Sequence, residues 1–135
     1  MECELIKMSM SSNPNFVSVV RLTTSAIASK IGFNLDDIED LKVAISEACT
    51  NAIKHSKKQD FEVIFYIYDE KLSIEVIDKG IGYDLSKIKE PNLKEPKTSG
   101  LGLFIIKTLM DEVEVETSTD SGTIIRMTKM VGVEE

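Results

Sequence analysis

The chain has no long apolar run, no cysteine framework, only three prolines and a single histidine, and each shortage narrows what it can be. No stretch approaches the roughly 18 apolar residues of a membrane-crossing helix. The first residues, with Glu2, Glu4 and Lys7, lack the apolar core of a signal peptide. The expectation is a cytoplasmic protein without membrane contact. Cys3 and Cys49 make no disulfide framework, and neither lies at ligand spacing from a second Cys or His. That usage suits a reduced compartment. Internal repeats and low-complexity tracts are absent. Basic residues are also short, at 16 Lys and Arg against 23 Asp and Glu, for a net charge of −7. Phosphate affinity needs clustered cations, so a general nucleic-acid binder is disfavoured, while a basic partner protein is not.

The 135 residues are a one-domain length, and 42% hydrophobic with 29% charged content is ordinary for a globular chain. Residues 2–8 suit an edge strand. Asn13 followed by Pro14 reads as a helix cap and first helical position, Val17, Val20, Thr24, Ile27 and Ile31 recur at helical spacing, and Gly32 stops that helix. Asn34 can cap a second helix whose inner face is Ile38, Leu41, Ile45, Ala48 and Ala52. Val63, Phe65 and Ile67 alternate in one strand, and Leu72, Ile74 and Val76 in the next, across an Asp69-Glu70-Lys71 turn. A long polar stretch follows to Ser99 and holds Pro91 and Pro96. Residues 103–110 are apolar on almost every side and predict a buried helix. Strands near 113–117 and 123–129 flank the turn signal Asp120-Ser121-Gly122. Helices bunched against a mixed, mainly antiparallel sheet predict an α+β fold, a two-layer α/β sandwich with three main helices.

Three motifs carry the chemistry. Glu47 and Asn51 are one turn apart on one face of the second helix, among the small residues of Ser46-Glu47-Ala48-Cys49-Thr50-Asn51-Ala52. A carboxylate can accept a hydroxyl proton, and an amide oxygen is a hard ligand suited to Mg²⁺. By itself such a pair also suits a solvated helix face. His55, a further turn along, is left outside the catalytic set. Asp78 ends an apolar strand, and Gly80 and Gly82 after it leave space for a flat ligand. The carboxylate could accept from an exocyclic amine such as that of adenine; a plain strand-ending turn would look the same. Ser99-Gly100-Leu101-Gly102-Leu103 opens the apolar helix, where free N–H groups and the helix dipole favour a phosphate chain, although a hinge would also use such glycines. No Lys follows these glycines in the P-loop manner, nor do they form G-x-G-x-x-G. The three motifs in this order, with a long loop between the last two, are improbable by chance.

In those motifs the chain resembles the GHKL (Bergerat-type) ATP-binding superfamily and, within it, the anti-sigma-B factor serine-protein kinases. The likeness spans nearly the whole chain. It is densest in Arg21-Leu22-Thr23, Ile38-Glu39-Asp40-Leu41-Lys42, Ser46–Ala52 and Leu109-Met110-Asp111-Glu112-Val113. The resemblance implies one kinase domain over 1–135 with an ATP lid at about 83–99. It implies Glu47 as the general base, Asn51 as the Mg²⁺ ligand and Asp78 as the adenine-amine acceptor. Gly80 and Gly82 match a glycine box near the base. Ser99, Gly100, Leu101 and Gly102 match a second box near the phosphates, and Thr123 a threonine that helps hold adenine. The implied cofactors are ATP and Mg²⁺. The implied partners are an alternative sigma factor, kept from RNA polymerase, and an anti-anti-sigma factor phosphorylated on serine, with a homodimer as the working unit. Thr98 departs from a relative that carries Arg before the second box; Lys94 and Lys97 nearby offer point charges rather than a planar fork. A non-catalytic ATP-binding anti-sigma module is the alternative. A histidine-kinase catalytic fragment fits less well, because the sequence shows no dimerisation helix with a phospho-accepting His.

Overall fold

The computed structural model describes residues 2–56, 59–79, 99–118 and 122–132. Gly80, Gly82, Lys94, Lys97, Thr98 and the expected lid through residue 98 lie outside them, while Ser99, where that lid was expected to end, is the first residue of a helix. The described chain runs β1 (Glu4–Met10), a 3-10 turn (Pro14–Phe16), α1 (Val17–Ile31), α2 (Leu35–His55), β2 (Phe61–Ile67), β3 (Lys71–Asp78), α3 (Ser99–Leu109), β4 (Glu112–Ser118) and β5 (Gly122–Met130). The five strands lie in the order β1-β2-β3-β5-β4. All four ladders are antiparallel, which sharpens the mixed, mainly antiparallel expectation.

Local chemistry sets the helix ends. The Asn13 side chain accepts from Asn15 N–H at 2.9 Å, and Pro14 follows it, but the chain makes a 3-10 turn before the α-helix proper begins at Val17. Gly32 closes α1 at φ 110°, a left-handed conformation with its N–H on Ala28 C=O. Asn34 Oδ1 accepts from Asp37 N–H at 2.8 Å, and Asp36 and Asp37 sit in the first turn of α2 while Lys54 and His55 sit in its last. Both pairs of charges match the helix dipole.

The helices cover one face of the sheet. Helix α2 buries Ile38, Leu41, Ala44, Ile45, Ala48, Cys49, Asn51 and Ala52, and lies over β3 and β5 with α1 and α3 on its flanks. Strand residues Phe61, Val63, Phe65, Leu72, Ile74, Val76, Ile125 and Met127 meet it from below. Even at about 1.5–3 kcal/mol per large side chain, this burial is the main favourable term. The other sheet face carries a polar cluster: Arg126 Nη2 donates to buried Glu75 at 2.6 Å and Nη1 to Glu114 at 2.9 Å, while the Tyr66 hydroxyl donates to Glu75. The Glu75 hydrogen bond and partial burial push the Tyr66 hydroxyl up to about 12.

Helix α3 begins at Ser99, so Gly100 and Gly102 lie in its first turns, at the opening the sequence predicts. It differs from the sequence reading in one respect: it is not buried all round. Leu103, Ile106 and Met110 are buried, but Phe104 is 49% exposed and Lys107 and Thr108 face outward. The reason is position. The helix rests on α2 by one face, at the margin of the helix layer.

One turn is sterically closed. Gly122 has φ 91°, and a Cβ there would lie 2.2 Å from the Asp78 carbonyl oxygen. Only glycine fits without moving the end of β3. Gly122→Ala is therefore expected to destabilise the fold by more than about 2 kcal/mol. Urea unfolding should show it as a lower midpoint, and an unchanged midpoint would contradict the close approach.

Candidate functional site

The site is assembled from the second half of α2, the start of α3, and the joined ends of β3 and β5. Small residues along α2 let its neighbours approach closely, and the clearest approach is at Gly102. A Cβ built at Gly102 would stand 3.1 Å from Glu47 Oε2. The half-buried Glu47 carboxylate thus lies directly against the second glycine box. This contact explains why helix α3 tolerates a glycine there, at a cost of about 1 kcal/mol relative to alanine.

One turn further along α2, Asn51 is 6% exposed, and its Nδ2 has no hydrogen-bond partner among the described residues. A buried amide left unsatisfied costs free energy, so such a group points to something it is built to meet. Its oxygen and nitrogen exchange places by a half-turn of the side chain. The position therefore fits either a donor to phosphate or an oxygen ligand to a cation. Among the described residues no three His, Cys, Asp or Glu side chains converge into a metal cage. A cation held here would take most of its ligands from phosphate and water, which is the habit of Mg²⁺.

The second part of the site lies at the strand ends. Asp78, 5% exposed, pairs across the ladder with Thr123, 2% exposed, and the Thr123 hydroxyl is 3.0 Å from that of Thr117. Gly122 brings β5 onto the Asp78 backbone. A cavity of about 230 Å³ opens here, with Asp78, Lys79, Glu116, Thr117 and Thr123 in its wall. A larger hollow of about 840 Å³ sits at the other end of the sheet, between β1, α1 and the β2–β3 turn. The smaller one is the candidate ligand cavity. It carries the buried Asp78, whereas the larger hollow is flanked by Ile6, Ile27, Ile31 and Ile67 with exposed charges at its rim.

The structure thus joins Glu47 to Gly102, and Asp78 to Thr123. Gly100 is buried, Leu101 is half-buried, and Ser99 is the first residue of α3. Gly80 and Gly82 lie outside the described residues.

Comparison with known proteins bears on this geometry. Residues 10–129 match the family model of the histidine kinase-like ATPase domain. The chain is 42% identical to the serine-protein kinase RsbW of Bacillus licheniformis, over 97% of this chain and 88% of that one. It is 39% identical to the serine-protein kinase RsbW of Halalkalibacterium halodurans, over 98% and 86%. The chain belongs to the RsbW serine-protein kinase family. Its fold agrees with a crystal structure of RsbU and RsbW domains from Mycobacterium tuberculosis, at TM-score 0.72 and 21% identity. That match covers 97% of this chain and 33% of the other, and it speaks to fold alone.

Within the RsbW frame, three features escaped the sequence reading. Gly122 was legible as a turn residue, but not as the residue pressed on Asp78. Thr117 gave no signal in the sequence. The Glu47–Gly102 contact joins positions 55 apart in the chain, and only packing reveals it. No helix among the described residues is long and apolar enough to cross a membrane.

Cys49 lies between Glu47 and Asn51 but is fully buried, and burial pushes its thiol up to about 12 from 9.0. An inert thiol of this kind is a packing residue, not a nucleophile. Above pH 9 the unfolded chain releases a proton that the folded chain keeps, so stability falls as pH rises from about 9 to about 12. Cys49→Ala is expected to flatten that slope, leaving the part due to Tyr66 between about 10 and 12 and to Tyr68, whose hydroxyl is pushed up by its hydrogen bond with Cys3. Urea midpoints measured from pH 8 to 11 decide it. An equally steep slope in the variant would exclude Cys49 as its source.

Proposed function

We propose that this chain is an ATP-dependent protein-serine kinase and anti-sigma factor. It binds Mg-ATP, phosphorylates a serine of an anti-anti-sigma factor, and holds a stress-type, sigma-B-like sigma factor away from RNA polymerase in the cytoplasm. The relatives named serine-protein kinase support the reaction class. The observation that carries the site is the Glu47 carboxylate resting on the second glycine box, with the buried Asn51 amide one turn away.

In this reading Asp78 accepts from the adenine amine, with Thr123 beside it. Gly80 and Gly82 leave room for the base. Backbone N–H groups at Ser99, Gly100, Leu101 and Gly102 hold the phosphates, helped by the positive end of the α3 dipole. The Asn51 amide oxygen would hold Mg²⁺, which supplies charge neutralisation across the phosphates. The serine hydroxyl attacks the γ-phosphorus. A new Oγ–P bond forms as the bond to the β-phosphate bridging oxygen breaks, ADP leaves, and the hydroxyl proton passes to Glu47. Glycine at 102 matters here, because any side chain would displace that carboxylate.

Replacing Glu47 with Ala should lower phosphate transfer to the cognate antagonist by about 10²–10⁴-fold while ATP binding persists. Asn51→Ala should instead lower Mg²⁺-dependent ATP affinity. Transfer by radiolabel and affinity by calorimetry separate the two roles. Undiminished transfer in the Glu47 variant would refute the base, and undiminished affinity in the Asn51 variant would refute the ligand. Wild-type protein that binds Mg-ATP but phosphorylates no antagonist would favour the non-catalytic anti-sigma module.

The proposal includes a homodimer. Strand β1 pairs only on its β2 side among the described residues, and Leu5 and Ile6 of β1, Phe16 of the 3-10 turn, and Val19 and Leu22 of α1 are exposed. An open, apolar edge strand is a ready interface. Light scattering at micromolar concentration should give twice the chain mass of 15.0 kDa. A chain-mass particle would rule the dimer out.

A further inference from the structure

Helix α3 touches the site at one end only. Its start carries the glycine box against Glu47, and its far end carries no proposed ligand. That far end is nevertheless held firmly. Lys129 of β5 is 8% exposed, and its Nζ donates to the Leu109 carbonyl, at the last residue of α3, at 2.7 Å. The same Nζ stands 3.9 Å from Asp37 and 3.9 Å from Asp40, both near the start of α2. A buried ammonium needs partners: the Leu109 carbonyl is the close one, and the two partly exposed carboxylates supply opposing charge at longer range.

This places two fixed points along a pair of helices. At one end, Gly102 of α3 meets Glu47 of α2. At the other, Leu109 of α3 accepts from Lys129, whose ammonium faces Asp37 and Asp40 of α2. The two helices therefore run antiparallel, and the fixed points on α3 are seven residues, or about 10 Å, apart. Leu103, Ile106 and Met110 fill the space between with apolar contacts, which resist separation but specify sliding poorly. Asp111 adds to the same anchor, its N–H on Thr128 C=O at 3.0 Å and its carboxylate on Met130 N–H at 2.7 Å.

We propose that Lys129 is a positioning residue, a clamp that fixes the axial position of α3 along α2 and so the placement of the glycine-box N–H groups relative to Glu47 and Asn51. The inference rests on the nucleotide reading given above. Lys129 touches no ligand in it. Its effect reaches the phosphates through the rigid length of α3, while the adenine end of the site, built on β3 and β5 at Asp78 and Thr123, does not depend on α3.

That division gives the test. Affinity for ATP and for adenosine is measured in the presence of Mg²⁺, by calorimetry and by NMR titration, on wild type and on Lys129→Met. The variant should lose about fivefold in ATP affinity with adenosine affinity unchanged, so the ratio of the two falls. A lowered thermal midpoint with an unchanged ratio would make Lys129 a stabilising residue only and overturn the proposal. The double variant Asp37→Asn/Asp40→Asn is measured alongside, and it decides the matter if Lys129→Met does not fold. It weakens the clamp but makes the protein less negative. A smaller fall in the same ratio supports the clamp. A rise would mean that net charge, not position, governs phosphate affinity, and would overturn it, as would no change. Wild type that binds neither ligand would overturn the nucleotide reading itself, an outcome distinct from binding with an unchanged ratio.

Discussion

The close approach of α3 to α2 is the constraint on which the rest depends. Helix α2 buries alanine and cysteine along its length, and α3 presents glycine where the Glu47 side chain stands against it. A Cβ at position 102 would come within 3.1 Å of the Glu47 carboxylate. The same small residues that close the core thus set the distance between a carboxylate and a helix start. Packing and chemistry share one interface, so side chains there cannot be enlarged for stability without moving the reacting groups.

The sheet plays a complementary part. Its helix-facing side is apolar through most of its length and turns polar only at the ends, at Asp78 and Thr123 on one side and at Lys129 on the other. The polar residues at the first end line the cavity. The polar residue at the second end anchors α3. The middle of the sandwich supplies rigidity, and the site occupies one rim of it. On the opposite sheet face Glu75, Arg126, Tyr66 and Glu114 satisfy one another.

Much of this is legible in the sequence. The α2 inner face of Ile38, Leu41, Ile45, Ala48 and Ala52 is buried as its spacing predicts. The caps at Gly32 and Asn34 act where the sequence places them, since capping depends on a few neighbouring atoms, whereas Asn13 caps a 3-10 turn ahead of α1 and not α1 itself. Helix α3 was read less well. Its apolar run predicted burial on nearly every side, yet Phe104 is exposed, because a run of apolar residues does not reveal how many neighbours a helix will have. Its glycines do open the helix; what the sequence does not show is that Gly102 leaves room for a side chain 55 positions earlier.

The sequence by itself determined the elements, the order of the three motifs, and the family. Periodicity, capping and turn chemistry are local, and they survive without knowledge of what packs on what. Only the tertiary structure decided which residues meet. It set Gly102 on Glu47, Gly122 on the Asp78 carbonyl, and Lys129 between the end of α3 and the start of α2. Those contacts join distant parts of the chain, and their distances follow from close packing of the whole core. No segment of sequence contains that information.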